Sequence, residues 1–202
     1  MPHDHAPHPH RPDQDGPLTD AQITEIAIRE LLIAKGVTTA AEVTAEVATM
    51  DARNPAQGAR VVARAWTDPA FKNRLLANGS AACEELGIEM GPLKLIALEN
   101  TESTHNVVVC TLCSCYPRNL LGLPPDWYKS RVYRSRTVRE PRAVLREFGT
   151  DLPAGMQVKV HDSTADMRYL VIPARPEDTE DLSEDALAGL ITRDGMIGVT
   201  RL

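Results

Sequence analysis

Three of the four cysteines in this 202-residue chain lie within six positions, and they carry the clearest chemistry in the sequence. Cys110, Cys113 and Cys115 form a Cys-x-x-Cys-x-Cys pattern, in which one short loop can direct three sulfurs at a single point. Thiolates this close repel one another unless a cation lies between them, and sulfur ligands favour a soft or borderline transition metal. We call residues 110–115 the claw loop and predict that it binds a metal. Cys83 stands alone on a predicted helix and is expected to be a small buried apolar side chain.

The same cysteines have three alternative interpretations. A structural disulfide would leave one sulfur over, and Cys113 and Cys115 are too close in sequence to pair comfortably. A Cys-x-x-Cys redox pair would leave the third sulfur unexplained. A structural zinc site needs a fourth ligand, for which Cys83, His105 and His161 are the candidates. The spacing favours a metal, with zinc and redox chemistry still open.

Ser114 lies between two of the predicted sulfur ligands, so backbone nitrogens are available beside the ion. If the ion is acidic enough, the amide nitrogens of Ser114 and Cys115 could lose their protons and bind it. With the three sulfurs this would give two nitrogen and three sulfur ligands and one open position. An open position distinguishes a catalytic metal site from a closed structural one. The spacing permits this geometry without proving it.

Several segments of the chain resemble the α subunit of nitrile hydratase, and the cobalt-type enzymes in particular. The claw loop with its Leu-Gly-Leu-Pro-Pro-x-Trp-Tyr-Lys-Ser continuation is the most specific of them. Thr111 matches the cobalt-type pattern, since iron-type members commonly carry serine there. The resemblance runs from about residue 20 to the C terminus. The matching segments are Gly58–Trp66, Val109–Cys115, Leu121–Ser130, Tyr133–Arg136, Val138–Gly149 and Met196–Val199.

The resemblance implies an enzyme that adds water to a nitrile to give an amide. It implies that Cys110, Cys113 and Cys115 hold Co(III), or less commonly Fe(III), with the backbone amides of Ser114 and Cys115. Cys113 would be oxidised to a sulfinate and Cys115 to a sulfenate, and these two residues and Ser114 would be the catalytic residues. The metal would polarise the nitrile as a Lewis acid, and water or the sulfenate oxygen would add to its carbon.

The resemblance also implies partners. A β subunit, as one chain or two, would supply arginines that hold the oxidised sulfurs, and an activator would assist maturation. The nearest alternative function is that of the metal subunit of thiocyanate hydrolase, which shares the claw. A metal-binding protein without turnover is the other alternative, and only the histidines near the N terminus support it.

The sequence departs from the family directly after the claw loop. Many relatives carry Pro-Trp-Pro-Val-Leu-Gly, whereas this chain has Pro117-Arg118-Asn119-Leu120-Leu121-Gly122. An aromatic residue that usually lines the substrate pocket is therefore replaced by Arg118. We expect Arg118 to bind substrate and the substrate to be a polar or heterocyclic nitrile, as in the nitrile hydratase of toyocamycin biosynthesis.

The elements that must position this chemistry indicate an α+β fold. Residues 1–17, rich in histidine and proline, are expected to be a disordered tail. Residues 18–52 are predicted to form a helical arm that contacts the β subunit. Residues 53–202 are predicted to form a globular metal-binding catalytic domain with layered α-β-β-α architecture. The predicted strand at 106–109 leads into the claw loop, and a loop at the end of a buried strand is held rigidly.

The predicted helices follow apolar spacing and capping residues. They span about 19–34, 39–50, 56–68, 69–78, 80–86, 126–133, 141–148 and 183–192. The predicted strands span 93–99, 106–109, 157–162 and 169–173. The prolines at 117, 124 and 125 predict irregular backbone after the claw loop, and residues 193–198 are expected to form a surface loop.

Composition excludes several classes of function. A net charge of −6 leaves no strong positive field for nucleic acid. No apolar run reaches 18 residues, so no membrane span is predicted. The polar N terminus lacks an apolar signal core, and clustered thiols suit a reducing compartment, so the expected location is the cytoplasm.

Overall fold

A computed structural model describes residues 17–113 and 115–202 of the chain. The tail predicted for residues 1–17 lies, except for Pro17, outside this part. The described chain divides into two units, the first ending at Ala48 and the second beginning at Thr49. Within it, no helix combines the length and the apolar character that crossing a membrane requires.

Fifteen helices and strands are formed by the described residues. The helices are α1 (Asp20–Ala34), α2 (Ala40–Ala52), α3 (Ala56–Thr67), α4 (Pro69–Ala77), α5 (Gly79–Glu85), α6 (Arg118–Leu121), α7 (Asp126–Lys129), α8 (Arg131–Arg139), α9 (Pro141–Glu147), α10 (Glu184–Leu190) and α11 (Arg193–Ile197). The strands are β1 (Lys94–Glu99), β2 (Thr104–Val109), β3 (Gln157–Asp162) and β4 (Met167–Ile172).

The first unit contains α1, whose start is fixed by a capping box. The Thr19 hydroxyl accepts from the Gln22 backbone N–H, and the Gln22 side chain accepts from the Thr19 backbone N–H. None of the residues in α1 is buried. Ile23, Ile28 and Leu31 are each more than half exposed, so this helix presents unburied apolar side chains.

The second unit is built on two parallel strand pairs. β1 pairs with β4, and β2 pairs with β3. Helices α4 and α5 pack on β1, α11 and α3 pack on β4, and α10 packs on α3. On the other side, α8 packs on β2 and α9 on β3, while β2 and β4 contact each other. The arrangement is the predicted α-β-β-α layering, and both strand pairs lie between helices, as parallel strands usually do.

The core lies between these layers. Val61 and Val62 of α3 and Leu170 of β4 are completely buried. Polar side chains fix where the packing helices begin. Asp68 accepts from the Phe71 N–H at the start of α4, and comparable caps begin α5, α8 and α10. Such caps satisfy backbone donors that a helix leaves unpaired at its N terminus.

Between residues 117 and 139, the secondary structure differs from the sequence prediction in two places. The segment predicted to be irregular contains one short helix, α6. The single helix predicted over 126–133 is divided at Ser130, whose backbone is extended (φ −65°, ψ 141°). The Ser130 hydroxyl then accepts from the Tyr133 N–H and begins α8. A capping residue therefore overrides the continuous helical pattern.

The prediction of a surface loop over residues 193–198 was also wrong. Its first five residues form α11, in which Met196 and Ile197 are buried. Thr192 caps the helix by accepting from the Gly195 N–H. Gly198 ends it with φ 87°, a conformation that glycine adopts without a steric penalty.

Candidate metal centre

The claw loop begins at the buried end of strand β2. Val107, Val108 and Val109 of β2 are at most 2% exposed, and Cys110 is completely buried. Because side chains on both faces of the strand are buried, the backbone at Cys110 is held firmly in place. The other two cysteines lie nearer the surface, since Cys113 is exposed and Cys115 is partly buried.

The three sulfurs converge as the spacing predicts. The Sγ atoms of Cys110 and Cys113 are 3.5 Å apart, and those of Cys113 and Cys115 are 3.3 Å apart. All three lie within 4.8 Å of one another, and the four cysteines are free thiols. These separations are much longer than a disulfide bond and leave three soft donors around one point, so the donor set fits a transition metal.

The protein environment disfavours a free thiolate at Cys115. Burial raises the pKa of the Cys115 thiol to about 12, the contacts with Cys113 and Cys110 add to this, and the positive charge of Arg168 opposes it. Sulfur binds a metal as the thiolate, so loading the site with a metal must release protons.

A carboxylate anchors the start of the claw loop. Asp162, the last residue of β3, lies opposite Val109 in the parallel register. Its Oδ1 accepts from the Thr111 backbone N–H at 2.9 Å, and its Oδ2 accepts from the Thr111 hydroxyl at 2.5 Å. Hydrogen bonds to an ionised acceptor are the stronger kind, so two strands jointly hold the loop.

Two further side chains bind carbonyl oxygens of the loop. Arg134 of α8 donates from Nη1 to the oxygens of Cys113 (3.1 Å) and Thr111 (3.4 Å). The hydroxyl of Tyr128 donates to the oxygen of Cys115 at 2.8 Å. The loop is thus held by helices on one side and by β3 on the other.

A pocket of about 400 Å³ opens beside the two more exposed sulfurs. Cys113 and Cys115 form part of its wall, and Arg53, Arg118 and Arg168 form another part. Its remaining lining residues are Met90, Leu93, Tyr116, Pro117 and Asn119. Arg118 therefore lines the same pocket as Cys113 and Cys115, and two further arginines line it as well.

Other predicted metal or substrate residues have ordinary structural roles. Cys83 is completely buried on α5. The Nε2 of His161 lies 2.8 Å from Oδ1 of Asn106, and the Nε2 of His105 lies 2.8 Å from the carbonyl oxygen of Gly198. Ser114 and the four histidines near the N terminus lie outside the described residues.

Sequence reasoning missed Asp162, Arg168 and the contacts of Arg134 with carbonyl oxygens of the claw loop. Asp162 is 51 residues from its partner Thr111, and Arg134 is 21 residues from Cys113. No local pattern marks such a contact, and Arg134 is one of several arginines in a basic stretch. The parallel register of β2 with β3 is the signal that would have identified Asp162.

A family model described as "Nitrile hydratase, alpha chain" matches residues 19–200. The chain belongs to the nitrile hydratase α-chain family. It is therefore a subunit of an enzyme of the nitrile hydratase type, as the claw motif predicted. The match covers nearly all of the described chain and includes every cysteine of the claw loop.

Three relatives illustrate the range of this family. A cobalt-containing nitrile hydratase subunit α from Pseudonocardia thermophila is 56% identical over 149 residues, which cover 72% of each chain. A solved Fe-type nitrile hydratase from Comamonas testosteroni Ni1, a double mutant, superposes with a TM-score of 0.83 at 46% identity and 92% coverage of both chains. A recombinant thiocyanate hydrolase with partially modified cobalt centres superposes with a TM-score of 0.86 at 41% identity, covering 91% of this chain and 90% of the other.

Proposed function

We propose that this α chain hydrates a nitrile to the amide at a cobalt ion held by the claw loop. The convergence of three sulfurs within 4.8 Å is the observation that carries the proposal. Cys110, Cys113 and Cys115 are the proposed sulfur ligands, and the backbone amides of Ser114 and Cys115 complete the set. Cys113 as a sulfinate, Cys115 as a sulfenate and Ser114 are the proposed catalytic residues.

Cobalt is the proposed metal in preference to iron. The Pseudonocardia relative is named as cobalt-containing, and Thr111 is the residue expected of cobalt-type members. When bound, the ion supplies Lewis-acid polarisation of the carbon–nitrogen triple bond. The chain's own groups hold the sulfurs in place, and Cys115 lines the pocket in which the nitrile is proposed to bind.

Arg118 is proposed to select the substrate. Arg118 lines the pocket with Arg53 and Arg168, and its side chain makes no ion pair or hydrogen bond within the described residues. A guanidinium donates hydrogen bonds in a plane and stacks on flat rings. These properties suit a polar or heterocyclic nitrile better than a small apolar one.

A β subunit, in one chain or two, is the proposed partner, with an activator during maturation. Residues 18–52 are proposed as the arm that contacts it. The exposed apolar side chains of α1 support this proposal because they are not buried within their own unit. The proposed location of the assembled enzyme is the cytoplasm.

The metal assignment is tested by Cys113→Ala and Cys115→Ala in the chain co-produced with its β subunit. We expect each variant to lose hydration activity and stoichiometric cobalt, measured by amide formation and elemental analysis. Cys83→Ala is the matched control, since Cys83 is a buried core residue that does not line the pocket, and it should keep both properties. Full activity in either claw variant would contradict the mechanism.

The substrate assignment is tested by comparing acrylonitrile with a nucleoside nitrile. We expect kcat/KM to favour the nucleoside nitrile, and Arg118→Gln to reduce that preference mainly by raising KM. A strong preference of the unaltered enzyme for acrylonitrile would show that Arg118 does not select polar substrates.

Thiocyanate hydrolysis is the second candidate. The three arginines in the pocket favour it, because thiocyanate is an anion, and a thiocyanate hydrolase shares this fold. Hydrolysis of thiocyanate with negligible hydration of either nitrile would assign the chain to that reaction. Zinc with three unmodified thiolates, and no turnover of any of these compounds, would instead indicate a non-catalytic metal protein.

A further inference from the structure

The placement of Arg134 is not explained by an ordinary surface role. Within the described residues it forms no ion pair, and its Nε is buried without a hydrogen-bond partner. Burying part of a guanidinium without full hydrogen bonding costs free energy. The bonds that it does make go to the carbonyl oxygens of Thr111 and Cys113, on either side of Leu112 in the claw loop.

Neighbouring arginines show that this contact is specific. Arg136, two positions along α8, is bound by Glu140 and Glu147. Arg131 and Arg139 line the same surface groove as Arg134, Thr111 and Leu112. Of the arginines in α8, Arg134 is the one whose side chain donates to the claw loop within the described chain.

Helix α8 is itself fixed to the strand that leads into the loop. The hydroxyl of Tyr133 donates to the carbonyl oxygen of Val108 at 2.7 Å, and the Tyr133 ring is buried. Two consecutive residues of α8, Tyr133 and Arg134, therefore bind the end of β2 and the loop that follows it. Arg134 therefore contacts the claw loop from a helix that is itself hydrogen-bonded to the strand preceding the loop.

We propose that Arg134 is a positioning residue that holds the claw loop in its metal-binding conformation before any metal arrives. A peptide unit is planar, so holding its carbonyl oxygen restricts the orientation of the whole unit. Restraining the oxygens of Thr111 and Cys113 limits how far the three sulfurs can separate. The metal then binds a loop that is already ordered, and less conformational entropy is lost on binding. The proposal rests on the proposed function only for the choice of cobalt as the ion.

A matched substitution separates charge from positioning. Each thiol loses its proton when it binds the metal, so three thiolates with one Co(II) ion leave a net negative site, which a nearby positive charge favours. If Arg134 acted only through its charge, replacing Arg131, which lines the same groove, would weaken cobalt binding about as much. If Arg134 positions the loop, its own replacement weakens cobalt binding far more. Groups that orient metal ligands without touching the metal typically contribute about 10- to 100-fold to affinity.

The experiment measures binding of Co(II) to the reduced, metal-free full chain by competition with a chromophoric chelator. The variants are Arg134→Gln, Arg134→Lys and, as the matched control, Arg131→Gln, which removes the same charge from the same groove. We expect affinity to fall about 10-fold or more in Arg134→Gln and partly to recover in Arg134→Lys. Arg131→Gln should bind cobalt nearly as tightly as the unaltered chain.

Two further readouts separate positioning from general stability. The sulfur-to-cobalt absorption band should shift or weaken in Arg134→Gln, and thermal unfolding of the metal-free chain identifies any loss of folding. Unchanged affinity and spectrum in a folded Arg134→Gln would overturn the proposal, as would an equal loss of affinity in Arg131→Gln. If the unaltered chain binds cobalt in this way but the assembled enzyme turns over none of the proposed substrates, the proposed function fails while the role of Arg134 stands.

Discussion

The hydroxyl of Tyr128 provides a direct measure of how firmly the claw loop is held. Tyr128 is completely buried, and its hydroxyl donates to the carbonyl oxygen of Cys115 at 2.8 Å. Tyr116 is a natural control, because its ring contacts that of Tyr128 at 5.1 Å and it is 3% exposed. Its hydroxyl has no hydrogen-bond partner among the described residues. Burial raises the pKa of both phenols, so both remain protonated at neutral pH.

The change from tyrosine to phenylalanine keeps the ring and removes only the hydroxyl. In Tyr128→Phe one hydrogen bond is lost, which costs about 1 kcal/mol net. In Tyr116→Phe an unpaired buried oxygen is removed, so stability should be unchanged or rise by up to about 1 kcal/mol. The free energies of unfolding of the two variants should therefore differ by about 1–2 kcal/mol.

Urea unfolding of the metal-free chain, followed by circular dichroism, measures this difference. For a chain of 202 residues, 1 kcal/mol corresponds to a change in Tm of about 2–4 °C, so thermal unfolding gives a second check. Cobalt affinity should fall in Tyr128→Phe and stay constant in Tyr116→Phe. Equal destabilisation of the two variants would refute the reasoning, because it would show that the hydroxyl–carbonyl bond contributes nothing.

Two other predictions concern the packing behind the site. Gly198→Ala should prevent stable folding, because its Cβ would clash with the backbone oxygen of Asn106 and the residue would have to keep φ at +87°. Gly87→Ala is the control, because Gly87 has φ +74° and open space around its Cβ position, so the change should lower stability by only about 1 kcal/mol. Thermal unfolding compares the two variants, and equal losses of stability would contradict the reasoning. Burial, together with the charge of Arg201, lowers the pKa of His105 despite its hydrogen bond to a carbonyl, so the folded state disfavours its protonation. Neutral His105 therefore contributes to the free energy of unfolding. This contribution is complete above the unfolded-state pKa of about 6.5 and is lost as the pH falls below that value. Urea midpoints from pH 7 to pH 5 should show a smaller decline in His105→Gln, and equal declines in both proteins would contradict this assignment.

The sequence predicted the parts of this molecule that depend on local pattern. The cysteine spacing identified the sulfur cluster, because a loop of six residues leaves few other arrangements. Apolar periodicity and capping residues predicted most helices, and β3 was predicted with its observed bounds, Gln157–Asp162. Cys83 behaves as a buried apolar residue, as its isolated position on a helix indicated.

What the sequence did not reveal depends on contacts between distant segments. The bond between Asp162 and Thr111 exists because β2 and β3 pair in one particular parallel register. The helix over 193–197 is stable because Met196 and Ile197 are buried by packing, in a segment that is too short to show helical periodicity. Propensity is a weak guide where tertiary packing decides the structure.

The pairing of β2 with β3 also sets an order of events during synthesis of the chain. The ribosome makes Cys110, Cys113 and Cys115 well before Asp162, and chains grow by about 5–20 residues per second. For several seconds the nascent chain therefore carries three thiols without the carboxylate that secures their loop. Premature capture of an abundant ion such as zinc is a hazard in that interval, and correct loading has to wait until the strand ending at residue 162 has left the ribosome and docked.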